Sequence, residues 1–253
     1  AVSSPFFRRL PLEKYGLTWI QPEIPIAHPF EDGSALFLHR SLDMTCELFG
    51  HDGRAYKRLL KPFIDNHAKL LSDILKPLHF PENPFLLLSF ALKSFASAKH
   101  IAEKYFRNAH TRAIFAGLAA HAMLPLEKTI TASFGIVLAV LAHTAGWPII
   151  KGGSQKLADA LSGIFKDKGG EIETGLAISS LKELPRASYY FFDVTPHQLL
   201  NIKGINLTES YRAKLKKFRY GPGVQKVDWA LKKPIPWKAD ICRRQALFIS
   251  ATL

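Results

Sequence analysis

Lys151-Gly152-Gly153-Ser154-Gln155-Lys156-Leu157-Ala158-Asp159-Ala160-Leu161, with Gly169-Gly170-Glu171-Ile172 eight residues further on, is the stretch whose reading sets the fold class. Leu157, Ala160, Leu161, Ile164 and Phe165 recur three and four residues apart, which predicts an amphipathic helix with one apolar face. Ser154 is placed to cap its N-terminus and Gly169 to end it. Residues 171–178 and 189–194 then read as strands. A glycine turn, a helix and two strands in this order are α/β material. Two glycines just before a helix also let the backbone come close to an anion or a flat cofactor, although a plain tight turn needs the same pair.

Upstream the texture is different. Residues 17–20 and 35–38 are short apolar runs around a proline-rich stretch and Glu31-Asp32-Gly33-Ser34, and both read as strands. From about residue 54 the period becomes helical. Phe63, Ile64, His67, Leu70, Leu71, Ile74 and Leu75 form one stripe, with Pro62 expected in the first turn and Pro77 and Pro81 closing the helix. Further helices are expected over 84–106, 111–124 and 209–218, and an extended segment over 224–231. Residues 129–150 are 22 positions without a formal charge. As one helix they would span about 33 Å, enough to cross a bilayer. Thr131, Ser133, His143 and Thr144 interrupt the apolarity, and Gly146 and Pro148 should stop the helix early, so a buried core helix is the favoured reading. The whole chain is therefore expected to be α+β, an α/β portion joined to a mostly helical, sheet-backed portion.

Composition bounds the function classes. With 253 residues, 47% of them hydrophobic, the chain can bury a substantial core. Two cysteines, Cys46 and Cys242, are too few for a disulfide framework or a metal cage, and a reducing, cytoplasmic setting fits them. No charged-then-apolar leader opens the sequence, so no secretory signal is expected. The net charge is +13, and residues 203–244 hold 12 basic against three acidic side chains. Such a bias suits an anionic membrane face, a phosphate-bearing cofactor or nucleic acid, or it keeps an apolar protein soluble. No nucleic-acid-binding motif accompanies it, which argues against the third partner. HExxH, GxSxG, CxxC and phosphate-loop patterns are absent, and no histidine pair has metal-ligand spacing. His110, His121 and His143 read as core histidines, and no catalytic residue can be named.

The glycine pair does not stand alone. Ala145-Gly146-Trp147-Pro148, the 151–161 stretch, Gly169-Gly170-Glu171-Ile172-Glu173-Thr174-Gly175 and Asp193-Val194-Thr195-Pro196 follow in order. Together they resemble the central signature of the phytoene-dehydrogenase-like FAD-dependent oxidoreductases. Ser3-Ser4-Pro5-Phe6-Phe7-Arg8-Arg9-Leu10-Pro11-Leu12, the Ala116–Ala120 block with His121, residues 219–231 and Pro234-Ile235-Pro236-Trp237 resemble further blocks of the same branch.

The resemblance implies an amine-oxidase-like architecture, a flavin domain in discontinuous segments with a substrate domain between them. Residues 1–147 would be substrate domain, 148–200 part of the FAD-binding domain, and 201–253 a return to the substrate domain. It implies FAD as cofactor and an apolar, isoprenoid-like small molecule as substrate. Peripheral membrane contact is a separate expectation, from the apolar helices of 113–150 and the basic 203–244 stretch. Gly152 and Gly153 match the family's glycines near the flavin, Ile178 the apolar residue by the adenine, and Thr195 and Pro196 the loop after the later strand. The family's opening GxGxxG and closing Gly-rich segment have no counterpart here, and the sequence drifts from the pattern after Cys242-Arg243-Arg244. The chain thus reads as an interior piece, with weak or no flavin binding expected on its own. The alternative, from another class, is a non-catalytic module that binds a hydrophobic ligand or a membrane surface through the helices of 113–150.

Overall fold

A computed structural model describes residues 2–248 except 78, 222, 224, 228 and 244. The fold is mixed α+β and mostly helical. Two compact units divide it, Ala1–Ile164 with Leu231–Leu253, and Phe165–Ala230. The boundaries fall at Ile164/Phe165 and Ala230/Leu231, so residues 148–164 belong to the first unit.

The first unit opens with two 3-10 turns and strand β1 (Trp19–Ile20), then β2 (Ile24–Pro29) and β3 (Ala35–Leu38). β2 and β3 are antiparallel, with Ile26 opposite Leu38 and Pro29 opposite Ala35. The proline-rich stretch is therefore itself a strand. Against β3, Pro25 lies just before the first pair and Pro29 at the last, so there the missing N–H groups fall at the ends, whereas Pro25 lies inside the pairing with β5, between Ile24 and Ile26.

Seven helices follow, α1 (Leu42–Leu48), α2 (Gly53–Asp65), α3 (His67–Leu75), α4 (Pro84–Ser94), α5 (Ala98–Tyr105), α6 (Ala109–Ala119) and α7 (Thr131–Thr144). The expected helix from about residue 54 is thus two. Pro62 sits in the interior of α2 rather than in a first turn, where it removes one backbone bond. The helical path ends at Asn66 (φ −117°, ψ 24°), whose side-chain amide donates to the Pro62 carbonyl at 3.0 Å. The expected helix over 84–106 is also broken. Ser97, extended at ψ 149°, caps α5 by accepting from the His100 N–H, and α4 and α5 meet at 94°.

The uncharged 129–150 stretch resolves into three parts. α7 ends at Thr144, Gly146 turns at φ +70°, and Ile149–Ile150 form β4 against β1, with Trp19 opposite Ile150. Among the described residues no single helix is long and apolar enough to cross a membrane. α7 is the centre of the main core, with Ala132, Gly135, Ile136, Ala139, Val140 and Ala142 buried against α2, α4, α5 and α6. Its small residues let α6 approach closely. A Cβ placed on Gly135 would stand 2.8 Å from Cζ of Phe115 on α6. α6 and α7, the helices that the membrane-module alternative needs on the surface, spend most of their apolar residues on the core, with Phe134 of α7 left exposed.

α8 (Gln155–Asp167) follows the glycine turn. Gly169 (φ +82°) ends it as expected, with Gly169 N–H donating to Lys166 O (2.8 Å) and Gly170 N–H to Phe165 O (3.0 Å), a left-handed glycine cap. Ala160 and Ile164 of α8 join Leu12 and Leu17 in a second, smaller core, flanked by Phe7, Leu10, Tyr15, Trp19 and Ile150. β5 (Gln245–Phe248) returns to pair parallel with β2.

In the second unit the expected strands 171–178 and 189–194 do not form. Both segments are largely exposed and join no ladder, and the one pairing nearby is an isolated parallel bridge between Ser180 and Lys203. β-propensity makes a strand only when a neighbouring backbone pairs with it, and no described segment does so. The unit holds two short helices instead, α9 (Pro196–Asn201) and α10 (Glu209–Lys216). Of the expected extended segment over 224–231, residues 224 and 228 lie outside the described residues, and the rest has no regular structure. Arg244 and 249–253, where the sequence drifts from the family pattern, also lie outside them.

Candidate functional site

The β1–β4 pair holds the glycine turn in place. The Lys151 N–H donates to Thr18 O at 2.9 Å, extending the pairing one residue beyond Ile150. The chain then reverses through Gly152 (φ +83°) and Gly153 (φ +92°), where the Gly153 N–H donates back to Ile150 O at 3.1 Å. Leu157 N–H donates to Ser154 O (3.0 Å) as α8 begins. Two consecutive left-handed residues are a conformation that side chains with a Cβ resist, so glycine is required by the backbone alone. Both glycines are exposed, and a Cβ on Gly153 would meet nothing within 4 Å. The turn therefore presents bare backbone to its surroundings.

A cavity of about 440 Å³ adjoins the same small sheet, lined by Phe7, Leu10, Pro11 and Trp19 together with Arg8, Glu13 and Lys14. Trp19 links the two features, since it lines the cavity and pairs with Ile150 two residues before Gly152. The lining combines an apolar body with two cations and one carboxylate. The cavity was not foreseen as a site. Its signal was the block of residues 3–12, which the resemblance picks out without giving any of its residues a role.

The other three expected cofactor residues lie in the second unit, apart from Gly152 and Gly153 in chain and in compact unit. Ile178 is half-buried, beside Ser179, whose hydroxyl (2.7 Å) and N–H (3.1 Å) donate to Glu183 and hold that carboxyl below its usual range. Thr195 is committed to local structure. Its hydroxyl accepts from the Gln198 N–H (3.4 Å) while its N–H donates to Gln198 Oε1 (2.9 Å), a reciprocal cap on α9 with Pro196 in the first turn. A flavin edge thus has room at Gly152–Gly153, whereas Thr195 and Pro196 are explained by the cap.

Among the described residues no three His, Cys, Asp or Glu side chains come together as metal ligands. Of the expected core histidines, His143 fits best. It is hydrogen-bonded to the fully buried Tyr56, and burial pushes its pKa down. His110 is half-buried and stacks on Phe30 at 3.7 Å, whereas His121 is exposed, with its ring edge-on to Trp147. A buried histidine the sequence did not flag is His28. Its Nδ1 has no hydrogen-bond partner among the described residues, and burial, then the nearby His110, lowers its pKa.

No known protein family matches the sequence, and no curated protein does.

Proposed function

We propose that this chain is part of an FAD-dependent oxidoreductase of the phytoene-dehydrogenase-like kind, acting on an apolar, isoprenoid-like substrate. The ordered motifs between residues 145 and 196 are the ground for the class. The observation that carries the reading is the exposed double-glycine turn at the start of α8, with both residues left-handed and open space over Gly153. That is the backbone surface a planar ring system needs for close approach. The cavity beside it, apolar with Arg8, Glu13 and Lys14 at its wall, suits a ligand with an apolar body and a polar end. FAD, when bound, supplies the hydride acceptor, and the protein supplies binding and orientation.

The visible absorption of the purified chain, recorded through an FAD titration and followed by release and quantification of bound flavin, tests this. The expected result is a perturbed flavin spectrum with weak affinity, since no GxGxxG cradle is present for the pyrophosphate. Gly153→Ala should weaken binding with little change in far-ultraviolet circular dichroism. A flavin spectrum that stays that of free FAD at every concentration, with no flavin retained by the chain, overturns the proposal that this chain holds the cofactor by itself.

A further inference from the structure

α4 carries apolar side chains on both of its sides. Phe90 is buried and meets the Phe63 ring edge-on at 5.6 Å, with Leu86 and Leu87 packed on the same core. Its other side, Phe85, Leu88 and Leu92, continued by Phe95 just after the helix, is spaced three, four and three residues apart and points outward. Phe85 is 87% exposed and Leu92 75%, values at which folding gains nothing from either ring or chain.

Backbone bonds join the stripe to a second patch. Ile130 N–H donates to Phe95 O (3.4 Å), Ala132 N–H to Ala96 O (3.4 Å) and Lys99 N–H to Leu126 O (3.1 Å). The Thr131 hydroxyl accepts from Ala98 N–H at 2.8 Å and locks the same junction from within. Ile130 and, one turn on, Phe134 are also exposed, so the apolar surface runs from α4 across the start of α7. A contiguous exposed apolar surface of this kind marks an interaction site.

We infer that this face, Phe85, Leu88, Leu92 and Phe95 with Ile130 and Phe134, inserts into the headgroup–acyl boundary of an anionic lipid bilayer. Two observations select lipid as the occupant. α4 and α5 together are apolar over a membrane span's worth of chain but bend by 94°, which suits lying in the interface rather than crossing it. Lys99 and Lys128 flank the junction of α4 with α7, Lys99 within 3.8 Å of Glu127, while Lys93 turns back over the Phe63 ring (5.2 Å), on a chain with net charge +13. Lysines at the rim of an apolar face reach the headgroups while their stems stay in the apolar layer. Each is attracted to an anionic leaflet. The proposal is independent of the flavin reading.

Flotation of the full chain with phosphatidylcholine vesicles, with and without phosphatidylserine, tests it. The expected result is binding that is strongest with phosphatidylserine and falls as salt is raised. Leu92→Asp and Phe85→Ser change exposed positions and should lower vesicle partitioning at least tenfold while the thermal midpoint holds. Lys99→Glu with Lys128→Glu should remove the phosphatidylserine preference. Absence of flotation, or flotation that Leu92→Asp leaves unchanged, overturns the proposal. So does a particle mass by light scattering that halves in Leu92→Asp without any vesicle binding, which would assign the face to a second copy of the chain.

Discussion

The Tyr56 hydroxyl lies 2.9 Å from Nε2 of His143, bridging α2 and α7 inside the main core. His143 Nδ1 lies 3.2 Å from the Arg40 carbonyl, which can only accept, so Nδ1 carries the proton and Nε2 accepts from Tyr56. One imidazole thus ties α7 to α2 and to the segment between β3 and α1. Tyr56→Phe leaves Nε2 without its donor in a buried setting. We expect it to cost about 1–3 kcal/mol, read as a lower urea midpoint at unchanged slope. An unchanged midpoint would show that the bond contributes nothing.

The same histidine gives stability a pH dependence. Burial lowers the pKa of His143 below its ordinary 6.5, against smaller opposing effects from backbone hydrogen bonds. Burial, then His110, lowers that of His28. Both are bases held neutral in the folded state. As pH falls below 6.5 the unfolded chain takes up protons that the folded chain refuses, and stability drops until the lowered folded values are passed. Urea midpoints should therefore be higher at pH 7.5 than at pH 5.5. In a Tyr56→Phe, His143→Leu double variant that difference should shrink.

Gly135 is a packing glycine in the middle of α7. A methyl group there would meet the Phe115 ring at 2.8 Å, and Phe115, only 1% exposed, has nowhere to go. Gly135→Ala gains helix propensity of about 1 kcal/mol but must push α6 away, at about 1–3 kcal/mol for an overpacked core. We expect a net lower melting temperature. Phe115→Leu makes room for the methyl, so adding Gly135→Ala to Phe115→Leu should cost less than adding it to the native chain. Strict additivity in that cycle would place the strain elsewhere.

Much of this architecture was legible in the pattern of residues. The stop at Gly146 and Pro148, the left-handed cap at Gly169 and the strand at 35–38 follow from local chemistry, and they formed as expected. Failures came where a segment's state depends on a distant neighbour. Residues 171–178 have strand composition and no pairing partner among the described residues, while Ile24–Pro29 carry two prolines yet form a strand because β3 and β5 pair on either side. Breaks inside the long helical patterns were missed because periodicity passes through Asn66 and Ser97 without a change of phase, although Ser97 is a cap residue by type. In the site, Gly152–Gly153 was legible as two glycines before a helix. The cavity at Phe7 and Trp19 was not, since it exists only where the two 3-10 turns and a two-residue strand meet.

Asp73 determines how the chain enters α4, and with it the face proposed to meet lipid. Its buried carboxylate accepts from the Glu82 N–H (3.1 Å), the Asn83 N–H (3.1 Å) and the Asn83 side-chain amide (3.4 Å), and lies 3.4 Å from Nε2 of His79. Burial works against the charged form, but these bonds outweigh it and hold the pKa below the ordinary 3.8. The stabilisation is therefore complete above 3.8 and lost as pH falls through the lowered folded value. Asn in place of Asp keeps the shape but turns one acceptor into a donor that faces an N–H. In Asp73→Asn at neutral pH, either the Glu82 or the Asn83 amide should lose protection in hydrogen exchange, while amides in the middle of α7 keep theirs. Vesicle binding should fall with it, because Phe85 and Leu88 lie one turn beyond Asn83. Full protection at both amides would mean that Asp73 is not what fixes the start of α4.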